Sequence, residues 1–585
     1  MGRPGVTLSA RRLFRIAKKP RGLFVENYGI GIGAIMAKAA QILVETLGLH
    51  GVDRVFCVPG ESYLAVIDAF YDASGIDVVV ARQEGGAGFM AVADAKITGR
   101  AGVACVSRGP GATNVSIGIH VAQQDAVPLV LFVGQVARAD LGREAFQHVD
   151  YRLMYGGMAK WVVEVEATDK LAETVRRAFH IARSGTPGPV VVSLPEDMLT
   201  DETETAALAP SPLPMARPRA DEISEICERL AAAERPLIIA GNQIGGAEGR
   251  AALAAVAEAW NVPVAVSFRH QDLFDNRHPN FSCHLAFGMP AVFKDTLNKA
   301  DLIVAIGARL GDVTSQGFEI PAAPKPAQDL IHIYPDPHHL GRVFETELSV
   351  AADATSTLRA MAEVNAPAPP PGRADWIETA HGLAAQFADW EPKFADDGLV
   401  FGNLLAHLGE VVDDDASIAL DAGNFSTWVH RLFPFKTSHQ FIGAVAGAMG
   451  MGVPGAVAAG LRADGRQVIC FVGDGGFQMT GFEFSIAVER NLPIRVFVSN
   501  NGSLGTIRLY QEKLYPDRTI ATDLPGLDVT KIAEAYGAKG LKIETDDDMP
   551  GVVAEALAHD GPVLIDVRTS LEYIAAYTTI SDIRG

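Results

Sequence analysis

The sequence predicts an α/β protein of three doubly wound domains, each built on a parallel sheet. Short apolar runs, the mark of strands buried on both faces, alternate with longer amphipathic or alanine-rich stretches. At 585 residues the chain is too long for one hydrophobic core. Two proline- and alanine-rich stretches, 206–219 and 366–372, read as extended, semi-rigid linkers that leave three segments of the same pattern.

Residues 1–35 form a basic extension in which Arg3, Arg11, Arg12, Arg15, Lys18, Lys19 and Arg21 face Glu26 alone. That make-up is like a transit peptide, but Met36 opens the first clean helix, so a tail or an upstream start codon is the preferred reading. The first domain is expected over 36–200, with strands at 55–58, 78–81, 103–107, 129–133 and 190–194. A linker at 201–219 leads to a central domain, 220–364, with strands at 237–240, 264–266, 302–306 and 330–333. After a second linker, 365–373, the last domain runs over 374–585. It offers strands at 418–420, 467–472, 494–499 and 563–567 and a helix at 480–490. No short-period repeat is visible.

A hydrophobic content of 48% with 58 glycines fits a large α/β protein with many tight strand–helix turns. The formal charge of −20 argues against a nucleic-acid partner. Cys57, Cys105, Cys227, Cys283 and Cys470 are scattered, with neither a disulfide framework nor zinc spacing. They predict small buried residues in a reducing, cytoplasmic setting. Residues 441–461 carry no charge and are long enough to cross a bilayer. Pro454 and six glycines instead predict a buried, glycine-rich segment beside a ligand, and no membrane partner.

Two strings about 390 residues apart carry the chemistry. Gly473-Asp474-Gly475, with Gly476 behind it, ends one predicted strand, and Asn500-Asn501 ends the next. Asp474 and Asn501 are thereby expected at the carboxyl ends of neighbouring strands, where such sheets place ligands. A carboxylate and an amide carbonyl suit Mg²⁺ or Ca²⁺ bridging to phosphate better than Zn²⁺, with Ser503 a further candidate ligand. Gly475 and Gly476 leave N–H groups free for phosphate oxygens. The second string is Arg82-Gln83-Glu84-Gly85-Gly86, whose small residues open a helix behind a carboxylate. Helix-dipole stabilisation by itself would also place an acid there.

The run GDGGFQMTGFEFSIAVERNLPIRVFVSNN resembles the cofactor signature of thiamine-diphosphate enzymes. With Glu84, and with SRGPGATN (107–114), VPLVLFVGQV (127–136), EAFQHVD (144–150) and TPGPVVVSLPEDM (186–198), the resemblance is closest to acetolactate (acetohydroxyacid) synthase large subunits. It implies thiamine diphosphate and Mg²⁺ as cofactors. Glu84 would hydrogen-bond the pyrimidine ring and select the tautomer that removes the thiazolium C2 proton. Phe146 and Gln147 would line the substrate side. GAVAGAMGMGVPGA (443–456) would bend the cofactor, with Met449 as apolar wedge and the Gly447 carbonyl accepting from the pyrimidine amino group. Gly60 would approach the cofactor, and Gly423, Asn424 and Phe425 would add to the diphosphate site. IGARLGD (306–312) would place Arg309 on a substrate carboxylate, although a surface arginine after a strand explains it equally well.

The chain also departs from those synthases. Pro59-Gly60-Glu61 resembles the Pro-Gly-Asp turn of pyruvate decarboxylases, so Glu61 is either a second active-site carboxylate or a helix-start acid. Glu196 stands where synthases have lysine, and Tyr510 where they have the tryptophan that selects the acceptor. Residues 269–290 do not resemble the flavin-binding region, which makes FAD doubtful.

The resulting expectation is decarboxylation of a 2-oxo acid, pyruvate first, with transfer of the enamine to a second carbonyl in a homodimer or dimer of dimers whose active sites are shared between chains. The alternatives are a decarboxylase releasing aldehyde, an aldehyde carboligase or lyase, and, more remotely, an inactive cofactor-binding regulator.

Overall fold

The computed structural model describes residues 36–585, so the basic extension 1–35 lies outside the described residues. Three six-stranded parallel sheets organise the chain, as expected. The first holds Arg54–Cys57, Asp77–Val80, Gly102–Val106, Leu129–Gln135, Trp161–Glu164 and Pro189–Pro195, laid out in the order 2-1-3-4-6-5. The last holds Ser417–Leu420, Gln440–Gly443, Val468–Gly473, Ile494–Asn500, Lys539–Ile543 and Val563–Arg568 in the same order. The central sheet holds Pro236–Ala240, Val264–Val266, Phe281–His284, Leu302–Ile306, Asp329–Ile333 and Leu348–Val350, in the order 3-2-1-4-5-6. In each, the chain reverses direction across the sheet beside strand 1, and the crevice at that switch point is where ligands enter such folds.

Five of these strands escape the sequence pattern: Trp161–Glu164, Phe281–His284, Leu348–Val350, Gln440–Gly443 and Lys539–Ile543. Every one is an outer strand of its sheet. An outer strand pairs on one side only and tolerates polar residues, so it lacks the apolar run that betrays an inner strand.

The helix expected over 480–490 also differs. It begins at Asp474, passes through a 3₁₀ turn at Gly481–Glu483 and resumes over Phe484–Arg490. The glycines after Asp474 lie in the first turn, where they do not interrupt a helix, and the break comes where the Phe477 ring lies against Gly481.

The apolar stretch 441–461 is an outer strand, a turn and the helix Gly452–Gly460, whose nine residues are all buried. No helix among the described residues is long and apolar enough to cross a membrane. Gly452–Gly460 packs against Glu84–Thr98, the helix after strand 2 of the first domain. Ala87, Ala91 and Ala95 share a core with Val453, Ala456 and Ala459. Small side chains on both helices allow that close approach.

Polar ties join the same two domains. Lys96 pairs with Asp125 at 2.5 Å and donates to the Gly443 carbonyl, while Asp125 accepts the Val445 N–H at 2.8 Å. Arg462 binds Asp53 and Asp94. Beyond the second linker, the helix Arg373–Ala388 lies on the central sheet: Trp376 donates to the Pro236 carbonyl at 2.8 Å, and Arg373 to those of Trp260 and Leu230.

Candidate active site

In the last domain, Gly473 pairs in register with Ser499, so Asp474 and Asn501 leave adjacent strand ends side by side. Asp474 is 3% exposed and accepts one N–H on each oxygen, from Gly475 and from Gly502, both at 2.8 Å. Burial pushes its carboxyl up to about 6, against those hydrogen bonds. A buried carboxylate held by neutral donors alone is a site that a divalent cation would keep ionised.

The Asn501 side-chain oxygen accepts the Ser503 N–H at 3.0 Å, and Ser503 donates its hydroxyl to the Thr522 carbonyl at 3.1 Å. Asn500 points the other way, tied to Asp566 and the Leu527 carbonyl, because successive strand residues face opposite sides. No group of three or more His, Cys, Asp or Glu is placed to hold a metal among the described residues. The mixed set of carboxylate, amide and hydroxyl oxygens fits Mg²⁺ and a diphosphate.

The strand end beside it carries Asp421-Ala422-Gly423-Asn424-Phe425. Asp421, to which the sequence reading assigned no role of its own, is wholly buried. It accepts N–H groups from Ala422 at 2.6 Å, Gly450 at 2.8 Å and Gly452 at 3.2 Å, and burial pushes it up to about 6. It thereby fixes the turn that bears Gly447 and Met449. The Met449 methyl lies against Gly475, where an added Cβ would approach it to 3.3 Å. A Cβ on Gly476 would meet Asp421 at 2.9 Å. Asn424 donates its backbone N–H to the Thr506 hydroxyl oxygen at 2.8 Å and its side-chain amide to the Ile574 carbonyl. Gly423 and Phe425 flank it, with the Phe425 ring covering Gly423.

In the first domain, Glu84 is the first residue of the helix Glu84–Thr98. The Gln83 side chain caps that helix, accepting from the Gly85 N–H at 2.6 Å. Glu84 is half-buried and accepts from the Asn114 amide at 2.9 Å. A second residue missed from sequence holds the turn before it. Glu483, buried and pushed up to about 7 by that burial, accepts the backbone N–H groups of Gln83 at 3.0 Å and Arg82 at 3.1 Å. Both Asp421 and Glu483 act on backbone N–H groups, so no partner side chain marks their roles in the sequence.

At the first domain's switch point, a Cβ on Gly60 would fall 2.5 Å from that of Ser107, so the two loops cross with no room to spare. Glu61 follows on the exposed side of a 3₁₀ turn. Gln147 has φ of 64° and its carbonyl lies over Gly109, where a Cβ would approach it to 2.7 Å; Phe146 beside it is 77% exposed. Arg309 points its guanidinium at the carbonyls of Gln123 and Gln124, at the end of the helix Pro110–Gln124. Tyr510 is half exposed on the helix Gly505–Leu514. Glu196, the departure from the synthases' lysine, pairs with Arg108 at 2.6 Å.

Comparison with known proteins matches this architecture domain by domain. Residues 37–154 match the N-terminal TPP binding domain of thiamine pyrophosphate enzymes, 223–361 their central domain and 421–567 their C-terminal TPP binding domain. The chain is 31% identical over 554 residues to the acetolactate synthase large subunit of Lactococcus lactis, covering 91% of this chain and 92% of that one. It is 30% identical to the Escherichia coli isozyme 1 large subunit, covering 91% and 94%. It is 29% identical to the mitochondrial catalytic subunit of Saccharomyces cerevisiae, covering 90% and 80%. With three domain models in sequence order and relatives matched nearly end to end, the chain belongs to the thiamine-diphosphate enzyme family, as an acetolactate synthase-like enzyme.

Proposed function

We propose that this protein decarboxylates a 2-oxo acid, with pyruvate as the donor, and transfers the remaining acyl unit to a second carbonyl, using thiamine diphosphate and Mg²⁺. The observation that carries the reading is the pairing of Asp474 and Asn501 at adjacent strand ends, in a chain that resembles acetolactate synthases along its length. When bound, thiamine diphosphate supplies the electron sink that makes loss of CO₂ feasible.

The residues do the rest. Asp474, Asn501 and Ser503 would hold the cation; Gly423, Asn424, Phe425 and Gly476 would receive the diphosphate, with Gly475 beside them donating its N–H to Asp474; Gly60 lets its loop cross Ser107 next to the cofactor. Met449 and the Gly447 carbonyl would meet the bound cofactor's rings. Glu84 holds the proton at the pyrimidine nitrogen, and the Asn114 amide orients its carboxylate. Phe146 and Gln147 line the substrate side, and Tyr510 stands at the acceptor. The carbonyl contacts of Arg309 favour a role in joining domains over one on substrate.

The active unit is a homodimer or dimer of dimers, in which the first domain of one chain faces the last domain of its partner. Large apolar side chains exposed on site-bearing segments support this: Phe146, Ile507, Tyr510 and Leu514. The enzyme acts without FAD, and its five buried cysteines suit a reducing cytoplasm.

A second reading, release of aldehyde without ligation, rests on Glu61 at the crossing of the Gly60 and Ser107 loops. Product analysis with pyruvate, cofactor and Mg²⁺, without FAD, separates the two. Acetolactate supports the first and acetaldehyde the second. No CO₂ release from any 2-oxo acid would overturn both.

A further inference from the structure

Three arginines follow the carboxyl ends of first-domain strands, and two of them are fully committed. Arg82 gives Nε to the Ser485 hydroxyl, Nη1 to the Val80 carbonyl and Nη2 to Glu489. Arg138 gives Nε to Asp197, Nη1 to the Glu166 carbonyl and Nη2 to Asp201. Arg108 differs. Its Nη1 pairs with Glu196 at 2.6 Å and its Nε is buried, but Nη2 makes no hydrogen bond among the described residues and keeps accessible surface. The side chain is only 12% exposed, so one donor edge of a packed guanidinium is left open.

Arg108 sits in the loop on which the first domain's site residues converge. Gly60 crosses Ser107, and the Gln147 carbonyl lies over Gly109. A Cβ on Gly111 would stand 3.4 Å from both Glu84 Oε1 and the Ser107 Cβ, so Glu84 borders the same loop. The loop is fixed by its main chain: the Arg108 N–H donates to the Ser62 hydroxyl at 3.0 Å and the Gly109 N–H to the Tyr151 hydroxyl at 3.1 Å. From there the side chain reaches over the end of Leu129–Gln135 to Glu196, whose N–H is held by the Gln135 carbonyl at 3.1 Å. Both partners of the ion pair are thus anchored, and the guanidinium is aimed rather than loose. All these residues belong to one domain, so they serve one active site however the chains pair.

We propose that Arg108, positioned by Glu196, reads the carboxylate of the acceptor, so that the acceptor is itself a 2-oxo acid anion, resting on the reaction proposed above. A planar guanidinium suits a carboxylate, and Arg309 already spends its own on the carbonyls of Gln123 and Gln124. Charge selects the acceptor over the donor. The donor's carboxylate leaves as neutral CO₂, so a cation on it would stabilise the ground state and oppose the reaction. The acceptor's carboxylate keeps its charge into the product, so holding it orients the carbonyl without raising the barrier.

A competition at the acceptor tests this. The holoenzyme receives the 2-oxo acid that it decarboxylates fastest, pyruvate first, with an equal concentration of that acid's methyl ester. The ester has no free carboxylate to lose and serves only as acceptor. The wild type should form the acid adduct over the ester adduct by about tenfold or more, the worth of a hydrogen bond to a charged group. Arg108→Gln should bring that ratio to within about threefold of one, with single-turnover CO₂ release within about threefold of wild type. Glu196→Gln keeps an acceptor for Nη1 and should retain the preference for the acid. If Arg108→Gln fails to fold because Glu196 loses its partner, Arg108→Gln combined with Glu196→Gln strands no charge and takes its place. A merely structural ion pair would lower thermal stability in these variants and leave the ratio alone. A wild-type ratio near one, or a ratio that survives loss of Arg108, overturns the assignment. So does a preference lost equally in Glu196→Gln, which would belong to the pair and not to Arg108. CO₂ release without ligated product overturns it too and favours aldehyde release. No CO₂ release from any 2-oxo acid overturns the proposed reaction, and the role of Arg108 falls with it.

Discussion

The first and last domains share one strand order and use it in opposite ways. After strand 1, the first domain has the tight Gly60–Glu61 turn and the last has the Asp421 loop, whose buried carboxylate gathers backbone N–H groups. After strand 2, the first domain presents Glu84, half-buried with one amide partner. The last presents the Gly447–Met449 turn and no acid. After strand 3, the last domain presents Asp474, 3% exposed, where the first has Ser107 and Arg108. One fold thus carries a half-buried carboxylate with a single amide partner in one copy and a desolvated carboxylate held by main-chain N–H groups in the other. The loops, not the sheets, set the chemistry.

The sharpest break of this comparison is a pair of substitutions. Glu84→Gln is expected to retain cofactor and metal binding but slow H/D exchange at cofactor C2 by about 10²–10⁴-fold, the usual reach of general acid–base catalysis. Asp474→Ala should instead lose the Mg²⁺-dependent cofactor affinity. If the site is shared between chains, each homodimer is inactive, yet mixing the two should restore about a quarter of wild-type activity, one intact site in half of the dimers. Hybrid dimers seen by mass spectrometry but without activity would place both residues in one chain's site.

The second prediction concerns pH. Asp474 is raised from 3.8 to about 6 in the folded chain. Between those values the folded state binds more protons than the unfolded state, so the cofactor-free protein should lose stability as pH rises through this window. Asp421 and Glu483, also raised by burial, act with the same sign. Cation binding needs the ionised form, so Mg²⁺ affinity should run the other way and fall about tenfold between pH 7 and pH 5. Titrations on the wild type and on Asp474→Asn check this; the variant's weaker binding should be flat over that range.

A smaller effect is expected at Glu483, the contact through which the last domain holds the turn before Glu84. Glu483→Gln keeps the shape but weakens the acceptor, costing roughly 1–2 kcal/mol at the turn. Turnover should fall about tenfold with cofactor affinity unchanged; a loss of affinity alone would show that Glu483 serves the diphosphate side. Smallest is Glu61→Ala, which should shift the ratio of aldehyde to ligated product while leaving CO₂ release within about threefold, because its side chain is exposed. An unchanged ratio with lower thermal stability would make it a helix-start acid.

Legibility from sequence followed burial. Inner strands such as 302–306 and 129–133 stood out because both faces are covered and every position must be apolar. Outer strands such as Lys539–Ile543 hid among loops because half their surface meets solvent. Asp474, Asn501 and Glu84 were visible because glycines mark the turns that carry them. Asp421 and Glu483 had no role of their own in the sequence reading, since an acid that binds main-chain N–H groups leaves no complementary charge in the sequence.

By itself, then, the sequence determined three parallel-sheet domains, the positions of the cofactor motifs and the family, all of which depend on local pattern and spacing. Only the tertiary structure decided that the outer domains share a strand order and a core, and that Arg309 spends its guanidinium on main-chain carbonyls. It alone placed Glu483 beneath the Glu84 turn. These are pairings between residues 186 to 400 positions apart, and chain pattern encodes what a residue needs, not which distant residue supplies it.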